Sequence, residues 1–567
     1  RPPEPKIARS SRARRTFNHY FMGVNQNYYL KVGKADELTN SKERRIFRFF
    51  EMLPGICSWL TLILMVVVSW QWPVAAAIFI IVFDTYWLIK TIYFSWHAAY
   101  SSKKTREYLK KNWLRELKNL PKEKYNVNVT DWRDIYHLVI LPMVDEPYAV
   151  VASTFQALSS VNYPLDRFIV VLATEERAQD KIQTTIEKVQ QEFGKNFKHF
   201  LITVHPKDIV GEIAGKGANE TWAGRQAKAL IIDQFQIPYD HILVSTFDID
   251  TVVPSDYFGC LTYHFLTAKN PYHSSYQPVP LFTNNIWEAP ALARVISFSS
   301  TFFQLIQQSR PERMTTFSSH SMPFKALVDV DFWQTNVVSE DSRIFWQCFL
   351  YYNGNWEVVP LFYPVSMDAN VDASFIKTMI NQYKQQRRWA YGALDIAYTF
   401  FGFVKNKNIP LKKKITYGFF LFDGFYSWAV TSLLIFFLGW LPIVLGGPKF
   451  NFSILSFYLP KMTAYVLTVA NIGIITCAVL NFWFLPPRPP YYGKHRYLLF
   501  VLQWILTPIN LIFFGSIPAL DAQTRLLLKK YMGFWVTPKY RKSEEIQPKF
   551  KSQIEMQSSK KQNVNNV

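Results

Sequence analysis

Long apolar runs stand at both ends of this chain, 56–72 and 74–94 near the start and 425–445, 463–484 and 497–520 near the end. A helix needs about 20 apolar residues to cross a bilayer. These runs therefore commit both ends to a membrane and leave the middle to fold outside it. A Trp-Gln-Trp-Pro turn separates the first two runs and predicts a helical hairpin. The 567 residues carry a net charge of +21, with Lys and Arg gathered beside the apolar runs. Basic charge so placed fits an anionic membrane surface. No zinc finger, basic zipper or RNA-binding aromatic motif points to nucleic acid. The four cysteines (Cys57, Cys260, Cys348, Cys477) are far apart and lack metal-ligand spacing, so they read as buried thiols in a reducing compartment.

Basic loops set the expected topology, because they stay on the cytoplasmic side. Three clusters qualify: the N-terminal arginines Arg12, Arg14, Arg15, Arg44, Arg45 and Arg48; Lys412, Lys413 and Lys414; and Arg488, Lys494 and Arg496. The expected organisation is a basic cytoplasmic tail (1–54), a transmembrane hairpin (55–95), a cytoplasmic domain (96–415), further transmembrane or re-entrant segments (416–520) and a second basic tail (521–567). A re-entrant or interfacial segment around Pro508 gives four spans and keeps the last tail inside; five spans is the alternative. The expected location is a plasma or inner membrane. The polar end, about 541–567, reads as disordered. Asp84 lies inside the second apolar run. Such a carboxylate is either functional or paired within the bundle.

Between the membrane segments, short β-branched runs alternate with helical stretches. Strands are expected at 137–142, 168–172, 200–204 and 242–247, and helices at 149–160 and 179–193. That alternation predicts an α/β domain with a parallel sheet. Ligands of such sheets sit at the carboxyl ends of the strands. Acidic residues fall there: Asp145 and Glu146 after the first strand, Glu175 and Glu176 after the second, Asp248 and Asp250 after the fourth. A helix at 291–307 reads equally as a core helix or one lying in the membrane interface.

Three marks in fixed order suggest chemistry: Asp248-Ile249-Asp250, Ser339-Glu340-Asp341, and Gln385-Gln386-Arg387-Arg388-Trp389. Each has a bland reading as a solvated turn, a helix cap or an amphipathic face. Together they suit transfer from a nucleotide-activated donor. Two aspartates past a strand can hold a divalent cation with phosphate oxygens, and such an ion eases departure of a diphosphate. A carboxylate such as Asp341 at a helix start can deprotonate a hydroxyl. One base suffices for direct, inverting displacement, whereas retention needs a nucleophile as well. Gln385 and Arg388 share a helix face. The Arg fork suits a diphosphate, and Trp389 offers a flat surface for a sugar. Gly215-Lys216-Gly217 does not fit a Walker A loop, but its lysine could meet a phosphate.

These residues resemble membrane-embedded family-2 glycosyltransferases, the group of cellulose, chitin and hyaluronan synthases, over roughly residues 130–395. The resemblance implies a glycosyltransferase-A fold, a uridine diphosphate sugar donor, Mg2+ or Mn2+, and inversion. It assigns Asp248 and Asp250 to the metal and diphosphate, Asp341 to the general base, and Gln385, Arg388 and Trp389 to the acceptor and diphosphate side. Asp145, Glu175, Glu176, Lys216 and Asp248 would meet the donor. The acceptor would be a glycan or lipid-linked molecule at the cytoplasmic face, with extrusion of a growing chain as one outcome. Three departures stand out: Ser339 replaces the usual Thr; Ala173-Thr174 replaces an acid pair, with Glu175-Glu176 two residues later; and Thr316-Phe317-Ser318-Ser319-His320 replaces the cellulose-type Phe-Phe-Cys-Gly-Ser stretch. The alternatives are a transporter, or a scaffold with a degenerate transferase domain.

Overall fold

The computed structural model describes residues 27–541. Helix α1 (Ser41–Gln71) begins at Asn40, whose side chain accepts from the backbone N–H groups of Lys42 and Glu43. That satisfies donors a helix start leaves open. Trp72 alone separates it from α2 (Pro73–Leu109), where Pro73 suits the first helical position. The 31 residues of α1 reach roughly 46 Å at 1.5 Å per residue, well beyond the ~30 Å of a hydrocarbon core. Both helices therefore extend outside any membrane.

The domain then alternates as expected. Its elements are β1 (Tyr136–Pro142), α3 (Tyr148–Leu158), β2 (Phe168–Glu175), α4 (Gln179–Phe193), β3 (His199–His205), α5 (Lys216–Ala227), β4 (Ile242–Thr246), α6 (Tyr257–Thr267), β5 (Ser274–Leu281), α7 (Ala291–Gln308), β6 (Ser321–Pro323), α8 (Glu340–Tyr351) and β7 (Glu357–Ser366). Seven strands form one sheet in the order β3-β2-β1-β4-β6-β5-β7. The four expected strands are mutually parallel. The sheet as a whole is mixed, because β6 runs antiparallel to both β4 and β5. Strands β5 and β7 carry Pro278, Pro280, Pro360 and Pro364. Prolines argue against a strand in a sequence, and here they hid two strands.

Side chains alternate across the sheet. Leu138, Ile140, Ile169 and Val171 pack with α5 and α8 through Ala223, Ala227, Ile344 and Phe345. Val139, Leu141, Val170 and Leu172 pack with α3, α4 and α6 through Val151, Phe155, Ile182, Ile186 and Leu261. Helix α7 joins the domain to the apolar helices: Thr301 and Gln308 bond the backbone of β5, while Phe298 meets Phe500.

Helices α9 (Phe375–Ala390) and α10 (Leu394–Lys405) lead into α11 (Leu411–Phe436) and α12 (Ile454–Phe484). A last helical run, α13 (Arg496–Leu527), follows. At Pro508, where a re-entrant or interfacial segment was expected, the helix continues; it tightens to 3-10 geometry at Gln503–Leu506 and widens to π at Asn510–Ser516. Among the described residues four helices, α1, α2, α11 and α13, are long and apolar enough to cross a membrane. Asp84 on α2 is 3% exposed and accepts from the Thr463 hydroxyl of α12 at 3.0 Å, a pairing inside the bundle. Residues 1–26, with Arg12, Arg14 and Arg15, and residues 542–567, which hold most of the expected disordered end, lie outside the described residues.

Candidate active site

The first turns of α5 and α8 meet at the carboxyl end of β4. Gly217 allows it: a Cβ there would lie 2.9 Å from Glu340 Cβ. Lys216 thereby enters a ring of carboxylates. Its Nζ is 2.8 Å from Asp248 Oδ1, 2.9 Å from both oxygens of Asp341 and 3.7 Å from Glu220 Oε1. Burial alone would strip its proton, but Asp248, Asp341, Glu220 and Glu340 keep it firmly charged. Burial would likewise raise Asp248, yet Lys216 and Lys539 hold its carboxyl well below the usual range.

One ammonium cannot balance four neighbouring carboxylates. The deepest two respond. Burial, reinforced by the charge of Asp341, pushes the Glu340 carboxyl up to about 8. Glu220 also rises, chiefly through burial. Each has a buried Oε2 without a hydrogen-bond partner, as a neutral carboxyl tolerates better than a carboxylate. Glu220, Glu340 and Asp341 each have an oxygen within 4.8 Å of the others.

The Thr316–His320 stretch lines the same floor. Thr316 Oγ1 donates to the Asp341 carbonyl at 2.5 Å, and Ser318 Oγ donates to Asp248 Oδ2 at 2.7 Å. Ser319 turns the chain through φ 66°. His320 Nδ1 lies 4.0 Å from Asp341 Oδ1, and burial lowers its ring to about 4. It is therefore neutral at pH 7.

Asp250 is held apart from this ring. It is fully buried, accepts the Asp368 backbone N–H at 2.9 Å and meets Lys539 Nζ at 2.5 Å. Its Oδ1 has no partner. A buried carboxylate oxygen with free lone pairs fits a hard divalent cation. Asp248 is less free, being engaged by Lys216 and Ser318.

Helix α9 starts at Ser374, whose hydroxyl accepts from the Lys377 N–H. It carries the third mark to the same place. Trp389 lies 5.8 Å, centroid to centroid, from Phe317 and 6.2 Å from Phe282. Gln385 accepts from Asn370 Nδ2 at 3.2 Å, and the Arg388 guanidinium lies 4.8 Å from the Phe534 ring.

The structure thus gathers Lys216, Asp248, Asp250, Asp341, Gln385, Arg388 and Trp389. Asp145, by contrast, is exposed. Its neighbour Glu146 folds inward, accepts the Val144 N–H at 2.8 Å and is pushed up to about 7 by burial. Glu175 is buried against Arg177, and Glu176 accepts the Lys207 N–H. Both acids are thus tied locally.

The sequence reading missed Glu220, Asp368 and a C-terminal arm, residues 530–541. Glu220 was visible as a partner four residues from Lys216, one turn along a helix. In the sequence the arm is part of a basic tail without periodicity. It crosses the site in irregular conformation, with Phe534 against Gly215, Lys539 on Asp250 and Arg541 bidentate on Asp368 at 2.7 and 3.1 Å.

Residues 243–485, a little under half of the chain, match the family model for glycosyl transferase family group 2. No curated protein sequence matches the chain. Among solved structures, the mannosyltransferase PcManGT from Pyrobaculum calidifontis, in complex with GDP-Man and Mn2+, is similar over 73% of this chain and 99% of its own. Its identity is 13% and the TM-score 0.36. TarS 1-349 of S. aureus, in complex with UDP-GlcNAc, is similar over 62% of this chain and 91% of its own, at 12% identity and a TM-score of 0.27.

Proposed function

We propose that the chain is a membrane-embedded, inverting glycosyltransferase of the family-2 type. It would move a hexose from a nucleotide sugar, a uridine diphosphate sugar by preference, to a glycan or lipid-linked acceptor at the cytoplasmic face. The observation that carries this reading is the convergence of three separated marks, Asp248/Asp250, Asp341 and Gln385/Arg388/Trp389, on one end of the sheet. The family match over residues 243–485 supports it.

In this reading the acceptor hydroxyl lies over Trp389 and beside Asp341. Asp341 takes its proton as the acceptor oxygen bonds the anomeric carbon and the bond from that carbon to the diphosphate breaks. One displacement inverts the centre, so no enzyme nucleophile is needed. Lys216 covers both oxygens of Asp341. It turns towards the diphosphate when donor arrives, which frees the base. Arg388 meets the same diphosphate through its planar fork. A Mg2+ or Mn2+ ion held at Asp250 would offset charge developing on the leaving group. Glu340, kept neutral, adds no further negative charge where the diphosphate must sit.

The helix bundle fits an acceptor delivered from or through the membrane. The basic clusters at Lys412–Lys414 and Arg488–Arg496 favour a cytoplasmic site. A growing polysaccharide and a single lipid-linked transfer share this chemistry; product size separates them. The test is release of nucleoside diphosphate by the full chain in nanodiscs, offered a panel of uridine and guanosine diphosphate sugars with Mg2+ or Mn2+. Release from one donor with a sugar-bearing product is expected. No release from any donor, and no binding of the nucleotides by calorimetry, would overturn the proposal.

A further inference from the structure

Two carboxylates and two cations face each other where the C-terminal arm crosses the sheet end. Asp250 and Asp368 are 0% and 4% exposed. They follow different strands, β4 and β7, yet they are fixed together. Val252 and Ser366, each two residues away, exchange both backbone hydrogen bonds, at 2.7 and 2.9 Å. The Asp368 N–H bonds Asp250 Oδ2 directly. Opposite them, Lys539 and Arg541 are two apart on the arm, and both side chains reach this pair of acids. Lys539 takes Asp250 and Arg541 takes Asp368.

The geometry points to Asp368 as a ligand of the divalent ion together with Asp250, with Lys539 and Arg541 as cationic stand-ins that the ion displaces. This rests on the metal-dependent reading above. Four observations carry it. A divalent ion brings the same two charges as the two side chains, so exchange keeps the pocket neutral. Asp250 Oδ1 is buried and unpartnered, a lone-pair site Lys539 leaves unused. Asp248, the other acid of its motif, is already held by Lys216 and Ser318. Finally, the arm is anchored independently on α9 and the turn after it: Phe534 packs against Arg388, the Lys384 ammonium lies 5.4 Å from the Trp535 ring, and Met532 N–H donates to the Tyr391 hydroxyl. Its tip can lift while residues 532–535 stay seated.

The test is Mn2+ titration followed by the loss of the free-ion paramagnetic resonance signal, on the full chain in nanodiscs without any sugar donor. Four proteins are compared: wild type; Lys539→Ala/Arg541→Ala; that pair with Asp368→Ala; and that pair with Asp250→Ala. Removing the two cations should tighten Mn2+ binding by about tenfold or more. Adding Asp368→Ala should then weaken it by roughly 10–100-fold, the range seen when groups that support a metal site are lost. Both cations are gone from that background, so a carboxylate that merely anchored Arg541 would have no effect there. An unchanged Mn2+ affinity on adding Asp368→Ala, with Asp250→Ala still abolishing binding, overturns the role of Asp368 and leaves the metal site standing. Mn2+ binding indifferent to Asp250→Ala, or absent throughout, overturns the metal reading and this inference with it. A second readout checks the exchange: millimolar Mn2+ should speed trypsin cleavage at Lys539 and Arg541 in wild type but not in the Asp250→Ala single variant, and protection unaffected by Mn2+ counts against displacement.

Discussion

Replacing Asp395 by Asn should destabilise the start of α8, which carries Asp341, the base proposed above. Asp395 on α10 grips the first turn of α8 from both sides of Glu340-Asp341. It accepts from Ser342 Oγ at 2.7 Å and Ser339 Oγ at 3.4 Å, and it pairs with Arg343 Nε at 2.7 Å. Arg343 and Asp395 are 0% and 1% exposed. Arg343 also donates to Gln334 and lies 4.1 Å from the Tyr398 ring. The amide is nearly isosteric and keeps one acceptor, but it leaves the guanidinium charge without a counter-ion. Breaking a buried pair costs about 3–5 kcal/mol. With Gln334 and the Tyr398 ring still in place, the lower end, about 3 kcal/mol, is expected. At roughly 1.5 °C per kcal/mol for a domain of about 320 residues, the thermal midpoint in detergent should fall by ~4–5 °C. Removing both charges with Arg343→Leu/Asp395→Leu should recover most of that loss, since buried pairs are often replaceable by apolar residues. If the double variant is as unstable as Asp395→Asn, the cost is lost packing and hydrogen bonding rather than an orphaned charge, and the reasoning fails.

Glu340→Gln should flatten the pH dependence of stability. Glu340 sits at about 8 in the fold against an ordinary 4.5, so the folded state holds its proton more tightly. Its stabilising contribution is full below 4.5 and disappears as pH rises through 8. Wild type should therefore lose midpoint temperature between pH 5 and 9 faster than the variant; equal slopes would contradict this. Trp389→Ala should raise the KM for acceptor while nucleotide affinity holds within about twofold, since uniform binding losses appear in KM; equal loss of both would mean that Trp389 props the fold. Gly215→Ala would set a Cβ 2.5 Å from the Phe534 ring. It should dislodge the arm and increase trypsin cleavage at Lys539, and unchanged protection would count against the seating described.

Much of this fold is legible in the sequence because β1, β2 and β4 are runs of β-branched and apolar residues buried on both faces, while the half-buried edge strand β3 still carries a short apolar run. Helix α4 is legible through its amphipathic spacing. Strands β5 and β7 were not, because their prolines contradict the pattern that marks a strand. The site divides similarly. Asp248, Asp250, Asp341 and Arg388 lie in short motifs at element ends, where local spacing reveals them. Lys539 lies 289 residues from the carboxylate it meets, in a segment without periodicity, so nothing local announces it. Asp145 and Glu146 show the limit of reading acids at a strand end. Glu146 turns inward onto the Val144 N–H while Asp145 stays exposed, and neighbouring residues alone do not encode that choice.

The central claim is that Asp341 takes the proton of an acceptor hydroxyl during sugar transfer. Its direct test compares wild type and Asp341→Asn in nanodiscs for both nucleotide binding and release of nucleoside diphosphate from the preferred donor. Loss of a general base costs on the order of a hundred- to ten-thousand-fold in rate. The account predicts such a loss in transfer, with nucleotide affinity kept within about threefold because Asp248 still holds Lys216 when the amide takes away the proton acceptor and its charge. Full turnover by Asp341→Asn would contradict it.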